Sequence, residues 1–252
     1  MTKMQNPFIW YDLMTPDVEG AKKFYSDVVG WNFTAQMPAY NVANVGKIGV
    51  GGIMETPAEL KDMPPFWSGY VYVPDVDAAC AKIKKLGGKV HREPWDVENY
   101  LRMAVVADPT GAAFNIMQPK MPDPPERVKD GAIGTIGWRE ARVGDLGKAW
   151  AFYSEMFGWT KGTTMPMGEM GDYQLFQIDG KDVGGMMKKM DVMPMPVWAY
   201  YFYVDGIEAA VTRITKAGGK IANGPMSVPG DQWIVTGIDP QGAFFSLLSN
   251  TK

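Results

Sequence analysis

The chain has 252 residues, 46% of them hydrophobic and 21% charged, with a formal net charge of −3. These are the proportions of an ordinary globular protein, and the near-balanced charge excludes the basic footprint of a nucleic-acid or anionic-membrane binder. No apolar run approaches the ~20 residues of a spanning helix, the first residues carry no apolar leader, and a lone cysteine, Cys80, excludes an intrachain disulfide. The expectation is a cytoplasmic protein with no membrane and no nucleic-acid partner.

Along the chain, residues 8–14 predict a strand. Thr15-Pro16-Asp17 predicts a helix start, with a capping hydroxyl, a first-turn proline and an acid near the positive end. Val18, Ala21, Phe24, Tyr25 and Val28 keep helical spacing, and Gly30 stops it. Residues 31–33, 40–45 and 48–54 then predict three short strands broken by Gly and Pro. The order repeats: a strand over 69–73, a helix over 74–86 stopped by Gly87-Gly88, and strands near Lys89-Val90, over 103–107 and over 112–117.

The whole pattern is then written a second time. Phe24-Tyr25 with Gly30-Trp31 returns as Phe152-Tyr153 with Gly158-Trp159, an offset of 128. Asp108-Pro109-Thr110-Gly111-Ala112 returns as Asp239-Pro240-Gln241-Gly242-Ala243, an offset of 131. Four strand–helix–three-strand modules are therefore predicted, two in each half. The prolines at 119, 122, 124 and 125 mark an extended linker. The expected domains are 1–118 and 134–252, with 119–133 between them.

These residues resemble the vicinal-oxygen-chelate superfamily, which includes glyoxalase I, bleomycin-resistance proteins and extradiol dioxygenases. The likeness runs over residues 8–118 and 134–249 and is nearest to tandem two-domain members. It rests on Asp17-Val18-Glu19, Phe24-Tyr25, Gly30-Trp31, Gly51-Gly52-Ile53-Met54, the run Val73-Pro74-Asp75-Val76-Asp77, Gly87-Gly88 and Asp108-Pro109-Thr110-Gly111. It implies an α+β fold: two tandem domains, each a pair of βαβββ units closing an eight-stranded cup-shaped sheet with helices outside. It also implies a divalent metal in the cup on His, Gln and Glu.

The ligand positions implied by the resemblance are occupied by Trp10, Ser68, Trp138 and Ala199 on the first strands, and by Asn115 and Ser246 seven residues after the turn aspartates. No acid follows near Gly52 until Glu55, and the only histidine, His91, falls outside the ligand strands, in what reads as a polar turn. Catalytic divalent metals need several converging imidazole or carboxylate donors. The expectation is no metal and no other cofactor.

Strand side chains alternate, so residues two apart share a face. The first cup is expected to present Trp10, Asp12 and Met14, then Ser68, Tyr70 and Tyr72, then Ala113, Asn115 and Met117. The second is expected to present Trp138, Glu140 and Arg142, then Ala199, Tyr201 and Tyr203, then Phe244, Ser246 and Leu248. Asp12 and Glu140 hold the same repeat position and are the candidate general bases. The structural alternative is a carboxylate satisfied by tyrosine hydroxyls, by Arg142 or by backbone. The other residues in these sets, Trp10, Ser68, Tyr70, Tyr72, Asn115, Trp138, Arg142, Tyr201, Tyr203 and Ser246, are candidate ligand contacts.

Gly51-Gly52 and Gly184-Gly185 lead into strands, not helices, which excludes a phosphate loop and predicts a kink or close approach. Residues 37–40 and 165–173 are read as equivalent loops able to cover the cups. Methionine occurs 19 times, clustered over 165–170 and 186–195; core packing and an adaptable binding surface are both open readings. Cys80 has no histidine neighbour in sequence and reads as a buried helix residue.

The leading expectation is a protein that binds a small, partly apolar or aromatic molecule in its cups without the superfamily metal. The alternatives are a metal-independent lyase or isomerase using a cup carboxylate as base, a scaffold with filled cups, and, if the strand register differs, a metal-dependent glyoxalase or dioxygenase. A monomer or a homodimer is compatible with two cups in one chain.

Overall fold

The computed structural model describes residues 6–37, 39–120, 127–129 and 131–252. The first five residues, and residues 121–126 and 130 of the expected linker, lie outside the described residues. In the first half, β1 (Phe8–Thr15), α1 (Val18–Val29), β2 (Asn32–Met37), β3 (Tyr40–Val45) and β4 (Ile48–Glu55) form one module. The next comprises β5 (Phe66–Tyr72), α2 (Val76–Lys85), β6 (Lys89–Val97), β7 (Leu101–Ala107) and β8 (Ala113–Pro119). The second half repeats them. Its first module is β9 (Ile136–Val143), α3 (Leu146–Phe157), β10 (Thr160–Pro166), β11 (Asp172–Ile178) and β12 (Lys181–Lys188). Its second is β13 (Val197–Tyr203), α4 (Ile207–Lys216), β14 (Lys220–Val228), β15 (Gln232–Ile238) and β16 (Phe244–Ser249).

The strands form two eight-stranded sheets, ordered β2-β3-β4-β1-β5-β8-β7-β6 and β10-β11-β12-β9-β13-β16-β15-β14. Both are mixed: β1 runs parallel to β4, β5 to β8, β9 to β12 and β13 to β16, while the hairpins are antiparallel. The sheets are open and have outer strands; they are not barrels. The α+β class and the tandem duplication are as expected.

Contacts divide the chain into two compact units. One holds the described residues within Met1–Ile9, Gly69–Pro124 and Arg139–Ala199. The other holds those within Trp10–Ser68, Pro125–Trp138 and Tyr200–Lys252. Each unit thus takes one module from each half of the sequence.

Local chemistry sets the helix ends. The cap of α1 is the carboxylate of Asp17, which accepts from the Gly20 amide at 2.9 Å; the Thr15 hydroxyl, expected to cap, instead accepts from the Asp17 amide at 3.4 Å. Asp75 and Asp145 cap α2 and α3 in the same way. Gly30 and Gly158 end α1 and α3 in the left-handed conformation, at φ of 89° and 72°, where a β-carbon is disfavoured.

The repeated aromatic motif builds the cores. In the unit containing Tyr25, that phenol donates to Asp239 at 3.1 Å and accepts from the Trp67 indole at 2.9 Å, while the Trp31 indole donates to the Gly134 carbonyl at 2.8 Å. In the unit containing Tyr153, the Trp198 indole donates to that phenol at 2.9 Å, and Trp159 stacks on Tyr153 and Phe176 with centroids 5.3 and 4.6 Å apart. The Asp-Pro-x-Gly motif is a turn clamp: Asp108 Oδ1 accepts from the amides of Thr110 and Ala112 at 2.7 and 3.1 Å, and Asp239 Oδ1 from those of Gln241 and Ala243 at 3.0 and 2.8 Å.

Two local expectations are corrected. His91 is not in a turn but in β6, which runs to Val97 because its outer position tolerates Pro94 beside a register shift. The loop expected over 165–173 is shorter: β10 runs to Pro166 and Tyr173 lies within β11 after a short 3-10 turn at Gly168–Met170, while Tyr40 opens β3 as the strand expected over 40–45 does. Tyr40 pairs in register with Met54 of β4, and Tyr173 with Met165 of β10.

Candidate functional site

Asp12 lies on β1 with 4% of its surface exposed. Trp10, two residues earlier on the same face, donates its indole N–H to Asp12 Oδ1 at 2.9 Å and to the Tyr40 hydroxyl at 2.7 Å. Tyr40 Oη in turn donates to Asp12 Oδ1 at 2.8 Å. Burial, then the Asp12 charge, raises the Tyr40 phenol well above its ordinary pKa, so it stays a donor. Asp12 pairs in register with Gly52, and a β-carbon there would collide with the Tyr40 hydroxyl and the Asp12 carboxylate. The glycine is what lets the phenol cross the strand to reach the acid.

The second half builds the same device. Glu140 lies on β9, 7% exposed, and pairs in register with Gly185. Tyr173 crosses that glycine, where a β-carbon would strike its ring, and donates to Glu140 Oε2 at 3.1 Å. Arg142 Nε donates to Glu140 Oε1 at 2.7 Å. Arg142 Nη1 also faces Met193 Sδ at 4.0 Å, and Met193 is held by bonds from the Lys189 ammonium to its carbonyl and from its own amide to Met190.

The other candidate contacts fall on their expected strands. Tyr70 pairs in register with Asn115, both buried, and Tyr72 with Met117. Tyr201 pairs with Ser246, both buried, and the Ser246 hydroxyl bonds Thr236 at 3.0 Å. Tyr203 accepts from Gln232 at 3.3 Å. Ser68 lies on β5 and Trp138 on β9, both half-buried. Sequence reading missed Tyr40, Tyr173 and Met193. The signal for the two tyrosines was present: each precedes a Gly-Gly strand in the same repeat position.

Cys80 is buried on α2 with its thiol pushed up to about 11, chiefly by burial, which makes it a poor nucleophile at neutral pH. Of the two readings of these glycines, a kink or a close approach, the close approach is seen: besides Gly52 and Gly185, Gly51 has a backbone carbonyl 2.6 Å from where a β-carbon would sit. The methionines divide. Met186 is fully buried, while Met167, Met170, Met190 and Met195 are exposed.

The residues at the superfamily's ligand positions do not fit a divalent metal. Indole offers no lone pair to a metal, and lone amide or hydroxyl oxygens bind weakly. Among the described residues no three His, Cys, Asp or Glu side chains come together as a metal-holding group. His91 lies on an outer strand.

Both acids thus sit on the first strand of a βαβββ module in a mixed, open sheet. The model of the Glyoxalase/Bleomycin resistance protein/Dioxygenase superfamily matches residues 8–116 and again 135–247. The chain belongs to that superfamily. It is similar to "Putative glyoxylase CFP32" of Mycobacterium tuberculosis (strain CDC 1551 / Oshkosh), 32% identical over 249 residues, 95% of this chain and 93% of that protein. It is also similar to "Anthracycline biosynthesis protein DnrV" of Streptomyces peucetius, 30% identical over 262 residues, 95% of this chain and 91% of that protein. Among solved structures, the Mn(II)-bound glyoxalase from Novosphingobium aromaticivorans matches with a TM-score of 0.70 at 13% identity, over 100% of this chain and 84% of that one. The 2,3-dioxygenase LapB from Pseudomonas sp. KL28 matches with 0.69 at 12% identity, over 99% of this chain and 94% of that one. At those identities the structural likeness speaks for the fold alone.

Proposed function

We propose that the chain binds small, partly apolar or aromatic molecules at its two buried carboxylates without the superfamily's metal. The observation that carries this reading is the duplicated device: Asp12 with Tyr40 over Gly52, and Glu140 with Tyr173 over Gly185. Taking a carboxylate out of water carries a desolvation cost that its hydrogen bonds must offset, and a glycine kept open for a crossing phenol weakens a strand. Finding both costs twice, at the same repeat position, favours a role for the acid beyond packing. Tyr70 with Asn115 and Tyr201 with Ser246 are further candidate contacts, as are Ser68, Tyr72, Trp138 and Tyr203. The relative named for anthracycline biosynthesis supports a polycyclic aromatic ligand class. The corresponding cellular reading is a cytoplasmic monomer or homodimer.

A second reading is favoured by one contact. Tyr40 Oη, held protonated 2.8 Å from Asp12, is a donor suited to an enolate-like oxygen beside a carboxylate base. That is the arrangement of a metal-independent lyase or isomerase, with Asp12 the better base. Both oxygens of Glu140 are engaged, by Arg142 and by Tyr173.

Calorimetric titration with 2-naphthol tests the first reading. Saturable binding is expected, weakened about tenfold or more in Asp12→Ala, since a hydrogen bond to a charged group is worth about 1.5–3 kcal/mol. No saturable binding, or equal affinity in Asp12→Ala and Glu140→Ala as in the native chain, contradicts it.

A further inference from the structure

Helices α1 and α4 lie in the same compact unit and border a groove of about 530 Å³. Its walls are Gly20, Lys23, Phe24 and Asp27 of α1, Arg213 and Lys216 of α4, and Ala217 at the end of α4. The volume suits a small molecule. We infer that this groove binds a phosphate monoester with a small apolar or aromatic body, and that Lys216 and Ala217 determine what it accepts. None of these residues belongs to the proposed carboxylate sites, so the inference does not depend on them.

Charge points to the anion. Three cations and one carboxylate line the groove, in a chain whose net charge is −3. The carboxylate, Asp27, pairs with Lys23 along α1 at 2.7 Å, and both side chains are exposed. An exposed pair at that spacing is worth only about a factor of two in an equilibrium, so Lys23 is free to turn to an incoming anion. Arg213 is held in place: Nε donates to the Val28 carbonyl at 3.2 Å, and Nη1 and Nη2 bond Asp205 at 3.4 and 2.7 Å. Asp205 offsets part of its charge. Lys216 has no hydrogen bond or ion pair among the described residues, so its ammonium is the groove's uncommitted cation. Two ammonium groups able to converge beside a guanidinium suit a group of charge about −1.5 to −2 with three acceptor oxygens better than a carboxylate. Phe24, 2% exposed, and Ala217 supply apolar wall for the ester's body.

The equivalent helix pair of the other unit is built differently. Offsets of 128 and 131 put Lys148 and Glu155 of α3 where the groove has Gly20 and Asp27, and Lys82 and Leu86 where it has Arg213 and Ala217. There Lys82 donates to the Glu155 carbonyl at 2.6 Å and lies 3.4 Å from its carboxylate, an ion pair that joins the two helices. Among the described residues no ion pair joins α1 to α4: Asp27 turns to its own helix and Arg213 to Asp205. Gly20 is explained by the helix cap, since a β-carbon there would strike Asp17. Ala217 is the wall position where size carries the information. Leu86 and Ala217 end their helices with the same backbone, φ of −85° and −84° with ψ of 7°, so Ala217→Leu is a change that the fold already carries in its other copy.

The test is calorimetric titration of the full chain with phenyl phosphate and, separately, with benzoate, which offers a similar body on a monoanion. Saturable binding of phenyl phosphate is expected, about tenfold or more tighter than benzoate. Lys216→Ala is expected to weaken it about tenfold or more, the usual worth of a hydrogen bond between charged groups. Ala217→Leu leaves every charge in place and is expected to weaken it as well, because it fills the groove. Urea unfolding of both variants should match the native chain, since Lys216 is exposed and Leu86 already occupies the matching position. No saturable binding by the native chain overturns the inference. Unchanged affinity in either variant overturns it, as does equal affinity for benzoate, which would reduce the groove to a general patch of positive charge. Binding lost in Asp12→Ala or Glu140→Ala, and kept in the groove variants, would place the phosphate at the buried carboxylates and overturn it too.

Discussion

Asp12 and Glu140 occupy the same place in two copies of one module, yet their surroundings have diverged. Asp12 accepts from the Tyr40 phenol at 2.8 Å and from the Trp10 indole at 2.9 Å. Glu140 takes a phenol at 3.1 Å and a guanidinium at 2.7 Å. What both copies keep is the costly part, the glycine that lets a tyrosine cross the strand. The tyrosine–glycine pair is the frame that presents an acid, and the residue two positions further along the strand differs between the copies, Met14 in one and Arg142 in the other. Duplication makes that separation visible, because each half is the other's reference.

The comparison predicts that the cores respond alike. Trp159→Ala removes a ring stacked between Tyr153 and Phe176, and Trp31→Ala one packed on Tyr25, Trp67 and Phe202. Each is expected to cost about 3–5 kcal/mol in urea unfolding. A cost in one half several times that in the other would break the equivalence of the two cores.

The glycines come next. Gly52→Ala and Gly185→Ala each drive a β-carbon into the crossing tyrosine, at an expected cost of about 1–3 kcal/mol. The hydrogen bond from phenol to acid should be lost with it, visible in a crystal structure of either variant. Retention of both tyrosines over the new β-carbon would contradict the role given to the glycines.

Alkaline pH gives the smallest effect. Burial and then a neighbouring carboxylate raise the phenols of Tyr25, beside Asp239, and of Tyr40, beside Asp12. The unfolded chain releases these protons near pH 10 while the folded chain holds them. Their stabilisation is therefore complete below about pH 10 and falls as pH rises above it, by about 1.4 kcal/mol per pH unit for each phenol, until the folded pKa is reached. Tyr40→Phe should remove one such contribution, giving a shallower loss of stability above pH 10. An unchanged slope would mean that Tyr40 titrates normally.

Much of the fold was legible because it repeats. The aromatic pair, the glycine stops and the Asp-Pro-x-Gly turns recur at offsets of 128 and 131, and each marks a local event: a core contact, a left-handed cap, a clamped turn. Period-two alternation also placed Trp10 and Asp12 on one face, as their hydrogen bond requires. What alternation cannot give is a partner from another strand. Tyr173 falls in the stretch expected as a loop because Pro and Gly surround it, whereas pairing with Met165 of β10 carries it into the sheet; Tyr40 opens the strand expected over 40–45, but its bond to Asp12 is not visible in the sequence. The cap of α1 was misassigned for a related reason: Thr15 and Asp17 both suit the position, and only backbone geometry chooses between them. The Met193 contact with Arg142 spans 51 residues and leaves no local trace in the sequence.

Metal content tests the central claim most directly, that these sites act through side chains alone. The purified chain would be incubated with excess Mn²⁺, Fe²⁺, Ni²⁺ or Zn²⁺, desalted and assayed by elemental analysis. With indole, amide and hydroxyl groups at the superfamily's ligand positions, less than about a tenth of an equivalent is expected to remain, judged against the tight binding of a real metal site. One or two tightly held equivalents would contradict the account and return glyoxalase or dioxygenase metal chemistry as the leading explanation.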